Sequence, residues 1–365
     1  MEYSGIEIHT LICNKDLLLA INNFKSLQKF DEFADMPVFL HDDGSLSESD
    51  IEALDVIKNV TVIRREYADK EIVNYVKNHL NCLRYRVHNN PLNLWHKIKL
   101  FDYMYFSKTK KVLGMDTDLL FIRKPEDVIN YLKANEAFYF PDIQDAYCYN
   151  VPKDEIPVVH NINTGLIYMP SEDYFHLDAL DNALGNLLKN NINYFPAWIE
   201  QSAFAHMFYV DGRYKVLGAE KYRMPYFQNI DIKVVECLHF VSYPAVRDTY
   251  KTYTDYLEFS SGDLVHEKEL VVEFKGKKIP LEFKIFKNNG MFNFEYYWGL
   301  EKTDQQFLDH MFEINTDEGV VIKKLQSNKN SFFVLNTKSS DISIKHTYDW
   351  YGETNWVDVG DFKLG

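Results

Sequence analysis

The most informative segment of this chain is Lys111-Val112-Leu113-Gly114-Met115-Asp116-Thr117-Asp118-Leu119-Leu120-Phe121. An apolar strand delivers two carboxylates separated by one residue, and a second apolar run follows at once. Because side chains alternate along a strand, Asp116 and Asp118 are expected to project to the same side. Such carboxylates repel each other unless a cation lies between them, and hard divalent ions prefer oxygen ligands. The stretch therefore predicts a divalent-metal site able to hold a diphosphate, with an ordinary acidic loop as the alternative.

Upstream of this stretch, apolar strand-like runs alternate with runs that carry apolar residues at helical spacing. Ser47 is predicted to cap one of the helices, with Asp50 completing a capping-box arrangement. Strands that alternate with helices predict an α/β fold, in which a Rossmann-like, mainly parallel sheet carries helices on both faces. The predicted strands cover 6–13, 37–40, 60–64 and 111–115, and the predicted helices cover 16–30, 47–57 and 94–106.

Polar residues follow three of the predicted strands. The three sets fall at the ends of the first, second and fourth strands and are Cys13-Asn14, Asp42-Asp43 and Asp116 to Asp118. Ligands of open parallel sheets bind beyond the carboxyl ends of the strands. The sequence therefore predicts a ligand site at this edge of the sheet.

Length, charge and missing motifs exclude several classes of protein. The 365 residues predict one large domain with a smaller one. The net charge of −14 argues against a nucleic-acid partner, because phosphate binding needs a basic surface. Glycine-rich dinucleotide or ATP motifs and a Gly-x-Ser-x-Gly sequence do not occur. Neither a signal peptide nor a transmembrane span is recognisable, so a cytoplasmic protein is expected.

The last hundred residues have a different pattern. Alternating or continuous strand patterns are separated by turn residues such as Gly276, with one helical pattern near 305–312. They predict a β-rich, sandwich-like domain at 263–365, which follows a catalytic or binding domain at 1–262. The predicted strands cover 269–274, 281–286, 291–298, 319–323, 331–335 and 342–345.

The strand with its Asp-x-Asp triplet resembles the signature of GT-A glycosyltransferases, in particular the glycogenin and lipopolysaccharide sugar-transferase type (family 8-like). Further segments are similar to elements of that family and occur in the same order along residues 6 to 250. They are Thr10 to Asn14 (first strand and base-binding loop), Lys97 to Phe101 (basic segment), Asn161 to Met169 (Asn-Ser/Thr-Gly strand), Ile199 to Phe204 (Asp-Gln helix start) and Leu238 to Phe240 (late His-Phe element).

The resemblance implies a retaining transfer of sugar from a UDP-sugar to a glycan or another hydroxyl acceptor. It implies Mn²⁺ or Mg²⁺ bound by Asp116, Asp118 and His239, where His239 ends a buried strand predicted at 234–238. It places Asn163, Glu200 and Gln201 at the donor sugar, near the reacting carbon. The nucleotide-sugar would further contact Thr10, Leu11, Asn14, Asp42, Asp43, Lys99, Met115, Asp116, Thr117 and Arg247.

The chain departs from the family pattern in ways that keep alternatives open. Glu200 stands where the family has Asp, and Arg247 would replace a lysine that is absent. Extra residues occur between Asp118 and Asn163, including 147–152. Phe39 to Ser45 is closer to the Asp-Asp-Gly-Ser loop of inverting transferases, so inversion is an alternative. A non-catalytic carbohydrate-binding protein and an Asp-x-Asp phosphohydrolase are the rival classes.

Overall fold

The computed structural model describes most of the chain in two compact units. The first unit consists of Met1–Met224 and Glu236–Val241, and the second of Pro225–Val235 and Ser242–Gly365. The predicted boundary between domains 1–262 and 263–365 stays a prediction. The described residues are 5–87, 96–144, 157–174, 176–189, 198–225, 230–241, 249–260, 263–274, 277–288, 291–298, 309–326, 330–335, 341–350 and 353–363.

A mainly parallel sheet forms the centre of the first unit, as the sequence predicts. Its strands lie in the order β3-β2-β1-β4-β7-β6-β8, and β7 alone runs antiparallel to its two neighbours. Since β1 has β2 on one side and β4 on the other, the chain reverses its winding direction there. The strands are β1 (Ile6–Ile12), β2 (Val38–Asp42), β3 (Val60–Ile63), β4 (Lys111–Met115), β5 (Leu119–Phe121), β6 (Phe138–Pro141), β7 (Ile162–Met169) and β8 (Lys215–Val216).

The helices of the first unit cover and connect these strands. The Ser47 prediction is confirmed: its hydroxyl accepts a bond from the Asp50 N–H, and the Asp50 carboxylate accepts one from the Ser47 N–H. The sequence patterns did not predict the helices at Asp31–Ala34, Arg65–Val76, Leu80–Val87, Glu126–Ala134 and Leu177–Lys189. The helices are α1 (Leu17–Gln28), α2 (Asp31–Ala34), α3 (Glu48–Ala53), α4 (Arg65–Val76), α5 (Leu80–Val87), α6 (His96–Phe106), α7 (Glu126–Ala134), α8 (Leu177–Lys189) and α9 (Ile199–Asp211), with 3₁₀ turns at Asn14–Asp16, Leu54–Val56 and Glu172–Tyr174.

A small second sheet lies in the same unit and contains β5, β9 (Tyr222–Arg223) and β10 (Cys237–His239). The strand predicted at 234–238 is therefore wrong in its bounds. Val234 lies in a turn, where its backbone N–H donates to the carbonyl of Asp231, and only the last residues of the run join a strand. His239 ends this short strand, which belongs to the small sheet and not to the parallel one.

The second unit is rich in β-strands, as predicted. Two antiparallel sheets have the strand orders β11-β12-β13-β16 and β15-β14-β17-β18. Phe283 and Tyr296 of the first sheet contact Phe312 of the second, with ring centroids 5.9 and 4.8 Å apart, as in a sandwich core. The elements are α10 (Tyr250–Ser260), β11 (Asp263–Phe274), β12 (Lys277–Asn288), β13 (Met291–Trp298), β14 (Asp309–Thr316), β15 (Gly319–Gln326), β16 (Asn330–Leu335), β17 (Asp341–Trp350) and β18 (Glu353–Lys363).

The helix predicted near 305–312 is wrong for the part that the structure describes. Residues 309–312 begin β14, which pairs with both β15 and β17. Phe312 and Ile314 are buried on alternate positions, so strand pairing decides this segment against its local helical spacing. Among the described residues, none of the helices combines the length and apolar character that crossing a membrane requires. The cytoplasmic location stays a prediction.

His9 in β1 and His41 in β2 have neighbouring imidazole rings, and both rings are buried. His9 Nδ1 and His41 Nε2 are 2.9 Å apart, and the rings stack 5.2 Å apart against Tyr103. Burial lowers the pKa of both histidines, and for His9 the nearby Glu7 carboxylate only partly opposes this effect. Both rings are therefore neutral in the folded protein at neutral pH.

The buried pair predicts a loss of stability in mild acid. Below the ordinary histidine pKa of about 6.5, these two histidines bind protons in the unfolded chain but stay neutral in the folded protein, so protonation favours unfolding. The contribution of the pair to the free energy of unfolding should therefore be complete at pH 7.5 and smaller at pH 5.5. Urea unfolding at the two pH values measures the difference. A His9→Phe variant should lose part of that difference, and the exposed His176→Gln control should keep it. An unchanged pH dependence in His9→Phe would refute this explanation.

Candidate metal and nucleotide-sugar site

Three potential metal ligands converge where β4 ends. His239 Nε2 lies 3.1 Å from Asp118 Oδ1 and 3.6 Å from Asp116 Oδ2. One ligand atom of each residue lies within 4.8 Å of the others. Two carboxylate oxygens and one imidazole nitrogen suit Mn²⁺ or Mg²⁺ better than a thiolate-seeking metal. The residues predicted from the sequence as metal ligands thus fit such an ion.

Strand pairing brings these ligands together across more than a hundred residues of sequence. β10 runs antiparallel to β5, with His239 opposite Leu119. The Phe240 N–H donates to the Asp118 carbonyl over 2.8 Å, which fixes His239 beside the turn. Asp116 and Asp118 themselves lie in the turn between β4 and β5. Both aspartates face His239, but the alternation of side chains along a strand is not the cause, contrary to expectation. The turn brings the two carboxylates to the same side.

Lys99 is an internal counter-ion for this cluster. It lies in the first turn of α6, and its buried Nζ is 2.7 Å from Asp116 Oδ1 and 3.5 Å from Glu200 Oε1. It also donates to the hydroxyl of Thr164 over 3.1 Å. Burial alone would lower the pKa of Lys99, but Asp116 and Glu200 outweigh it and raise that pKa. Lys99 is therefore charged and forms an ion pair with Asp116 Oδ1, while Asp116 Oδ2 faces His239.

The electrostatics of the cluster favour a further positive charge. Burial raises the pKa of Asp116, but Lys99 and then His239 lower it overall. Burial lowers the pKa of His239, yet the carboxylates of Asp118 and Asp116 raise it overall. Asp116, Asp118 and Glu200 with Lys99 have a formal charge of −2 when His239 is neutral. Carboxylates that bind a metal are deprotonated and therefore negatively charged. A divalent cation would compensate the formal charge of −2 on this cluster.

The carboxylate and the amide predicted at the donor sugar begin α9. Glu200 and Gln201 lie in its first turn, and both are buried. Glu200 Oε2 accepts a hydrogen bond from Thr164, the residue next to Asn163 in β7. Glu200 thus joins Lys99 and Thr164, and the chain segments around 99, 164 and 200 meet at one point.

Asn163 connects the cluster to a residue that the sequence did not single out. Its Oδ1 accepts a bond from the Gly165 N–H over 2.8 Å, and its Nδ2 donates to Asp142 Oδ2 over 3.1 Å. Burial raises the pKa of Asp142, with Asn163 partly opposing it. Asp142 directly follows β6, which pairs with the strand that contains Asn163. Its position at the end of an apolar, strand-like run is the sequence signal that could have identified it.

Asn23 is a second residue missed from sequence. From the buried face of α1 its Nδ2 donates to the backbone carbonyl of Asp116 over 2.8 Å. The Asp116 N–H in turn donates to the Gly165 carbonyl over 2.8 Å. The backbone that presents the first aspartate is thus fixed from two sides. A polar residue within the apolar stripe of a predicted helix was the only sign of this role.

The residues predicted to hold the base and ribose lie where β1 and β2 end. The Asn14 N–H donates to the Ser45 hydroxyl over 2.8 Å, which links the two strand ends. Asp42 Oδ1 accepts from the Gly44 N–H over 2.7 Å, and Asp43 Oδ1 accepts from the Ser45 N–H over 2.9 Å. One oxygen of each aspartate therefore shapes the loop.

The remaining predicted contacts differ in accessibility. Thr10 and Met115 are paired across β1 and β4 and are fully buried, and Thr117 is almost so. The Leu11 N–H already donates to the Tyr103 hydroxyl over 2.6 Å. Thr10 Oγ1 is buried without a hydrogen-bond partner in the described part of the chain. Arg247 lies outside the described residues.

Comparison with protein-family models and with curated protein sequences finds no match. Among solved structures, the galactosyltransferase LgtC in complex with donor and acceptor sugar analogues is 11% identical, with 68% of this chain and 95% of that chain covered and a TM-score of 0.46. Mouse xyloside xylosyltransferase 1 is 10% identical, with coverages of 65% and 98% and a TM-score of 0.42. The mannosyltransferase Ktr4p from S. cerevisiae in complex with GDP is 13% identical, with coverages of 59% and 70% and a TM-score of 0.39. Because each TM-score is below 0.5, these similarities do not establish the family or the activity of this chain.

Proposed function

We propose that the chain is a metal-dependent glycosyltransferase of the GT-A type. It transfers a sugar from a UDP-sugar to a hydroxyl group of a glycan or another acceptor, with retention of configuration. The observation that carries the proposal is the convergence of Lys99, Asp116, Asp118 and His239 at the end of β4. In the proposed organisation, 1–262 is the catalytic domain and 263–365 is a separate β-rich domain.

The metal ligands and Lys99 would act on the diphosphate. Asp116, Asp118 and His239 Nε2 would hold Mn²⁺ or Mg²⁺, which supplies Lewis-acid stabilisation of the leaving diphosphate. Lys99 would share the developing negative charge, because a fixed ammonium in a buried site stabilises charge without reorganising. Arg247 is proposed to assist the same phosphates.

The other site residues would position the two ends of the donor. Asn163, Glu200 and Gln201 would orient the sugar, and their burial restricts their rotamers before the donor binds. Asn14 with Asp42 or Asp43 would hold the base and ribose, with Thr10, Leu11, Met115 and Thr117 lining that end. In the sheet order β2-β1-β4-β7, the residues proposed for the base and ribose come first, those proposed for the diphosphate follow, and Asn163, proposed for the sugar, comes last, which supports the proposal.

Release of nucleotide from a panel of donors tests the proposed function. The chain is mixed with UDP- and GDP-sugars in Mn²⁺, and free UDP or GDP is measured with and without EDTA. We expect slow release of UDP from one UDP-sugar, abolished by EDTA, because water can replace the missing acceptor. The anomeric configuration of the released sugar distinguishes retention from inversion.

Each rival class gives a different result in that experiment. A phosphohydrolase would release phosphate from simple phosphate esters, and it would need an aspartate nucleophile at the end of β1, which is instead followed by Cys13-Asn14. A non-catalytic carbohydrate-binding protein would bind sugars without releasing nucleotide. The absence of UDP and GDP release from every donor would contradict the proposed activity.

A further inference from the structure

Gly165 contacts three of the site residues through its backbone and its missing side chain. Its N–H donates to Asn163 Oδ1, and its carbonyl accepts from the Asp116 N–H, both over 2.8 Å. A Cβ atom at this position would lie 2.3 Å from His239 Cε1 and 2.7 Å from His239 Nδ1. Both distances are far below the van der Waals contact of roughly 3.5–4.0 Å between non-bonded heavy atoms. The imidazole thus occupies the space that any other residue would fill.

His239 has little freedom to avoid such a side chain. Its ring is buried and meets Phe140 edge to face, with the centroids 5.5 Å apart. Its backbone is paired with Leu119 in the small sheet. Within the described ranges His239 Nδ1 has no hydrogen-bond partner, so the orientation of the ring depends on packing and not on a hydrogen bond to Nδ1. Packing against position 165 and Phe140 therefore sets how far Nε2 reaches toward Asp116 and Asp118.

We infer that Gly165 is a positioning residue of the metal site, because only glycine there lets His239 Nε2 reach the two carboxylates. The inference rests on the proposed function and assigns a role to the glycine of the Asn163-Thr164-Gly165 sequence. That sequence thereby serves the metal as well as the donor sugar. Gly165 itself supplies no ligand atom.

Binding of Mn²⁺ alone, measured by titration calorimetry, tests this role. Alanine at position 165 pushes the imidazole out of line, and changes in residues that orient a metal ligand typically cost about 10- to 100-fold in affinity. Gly165→Ala should therefore weaken Mn²⁺ binding by a factor in that range. In a His239→Ala background the same substitution should cause no further loss of Mn²⁺ affinity, because the remaining close contact of the added Cβ, with Asn163 Oδ1 at 2.8 Å, involves no metal ligand.

A matched control separates the site from general effects of adding a methyl group. A Cβ at Gly185, in α8, would lie 2.7 Å from Asn81 Nδ2, which is a comparable clash with no metal ligand involved. Gly185→Ala should leave Mn²⁺ affinity unchanged. Urea unfolding in EDTA provides a second readout that needs no metal: Gly165→Ala should lower the unfolding midpoint more when His239 is present than when it is alanine.

The outcomes distinguish this inference from the proposed function. Wild-type chain that binds Mn²⁺, together with unaltered affinity in Gly165→Ala, overturns the inference alone. Wild-type chain that binds no Mn²⁺ overturns the metal-dependent function and the metal role of Gly165 together. If Gly165→Ala destabilises or unfolds both backgrounds equally, the glycine serves the sheet and not His239, which also overturns the inference.

Discussion

Asp118→Asn should abolish sugar transfer while leaving the chain folded. The substitution keeps the shape of the side chain but removes one charged ligand, 3.1 Å from His239 Nε2. Changes that merely disturb the orientation of a ligand cost about 10- to 100-fold in metal affinity, so loss of a ligand should cost more than about 100-fold. Mn²⁺ affinity and nucleotide release are measured on the same preparation, and circular dichroism checks the fold.

The control for this prediction is Glu52→Gln, which removes a carboxylate from the exposed surface of α3. It should retain wild-type Mn²⁺ affinity and turnover, because a distant surface charge is screened by salt. Full turnover in Asp118→Asn, or turnover of the wild type in excess EDTA, would show that no metal at this site takes part.

Lys99→Met should be the most destabilising single substitution in the site. It leaves the Asp116 and Glu200 carboxylates without the ammonium that lies 2.7 and 3.5 Å from them. Removing one partner of a buried ion pair typically costs about 3–5 kcal/mol in the free energy of unfolding. Urea unfolding is measured in EDTA, so that no cation takes the place of the lysine.

Two further variants identify the cause of that loss. Lys99→Met with Glu200→Gln should recover part of the stability, because one uncompensated carboxylate is removed. Lys25→Met, at an exposed position of α1, should change the free energy of unfolding by less than about 0.5 kcal/mol. If Lys99→Met is as stable as Lys25→Met, Lys99 is not the counter-ion described above.

The parallel sheet and the strand ends were predictable because local signals agree with the tertiary structure there. The run Val112–Met115 is apolar and buried within β4, and Asp116 follows it as expected. The capping box at Ser47 and Asp50 is also a local feature, complete within four residues. Such signals need no knowledge of distant segments.

The contacts within the site depend on distant segments and were only partly predictable. His239 reaches Asp118 because β10 pairs with β5, a pairing that no spacing in the sequence reveals. Lys99 meets Glu200 because the first turns of α6 and α9, which are about a hundred residues apart in the sequence, approach each other. The predicted run 234–238 failed as a strand because tertiary hydrogen bonding, and not apolar character alone, limits β10 to its last residues.

Anomalous scattering from a crystal that contains Mn²⁺ and UDP would locate the metal ion and the nucleotide relative to the proposed ligands. We expect one manganese peak between Asp116, Asp118 and His239, with Nε2 and the carboxylate oxygens roughly 2.0–2.4 Å from the ion. We also expect diphosphate oxygens on the same ion and the uridine beside Asn14 and Asp43. A manganese peak elsewhere, or His239 Nε2 well beyond that distance while UDP is bound, would contradict the proposed metal site.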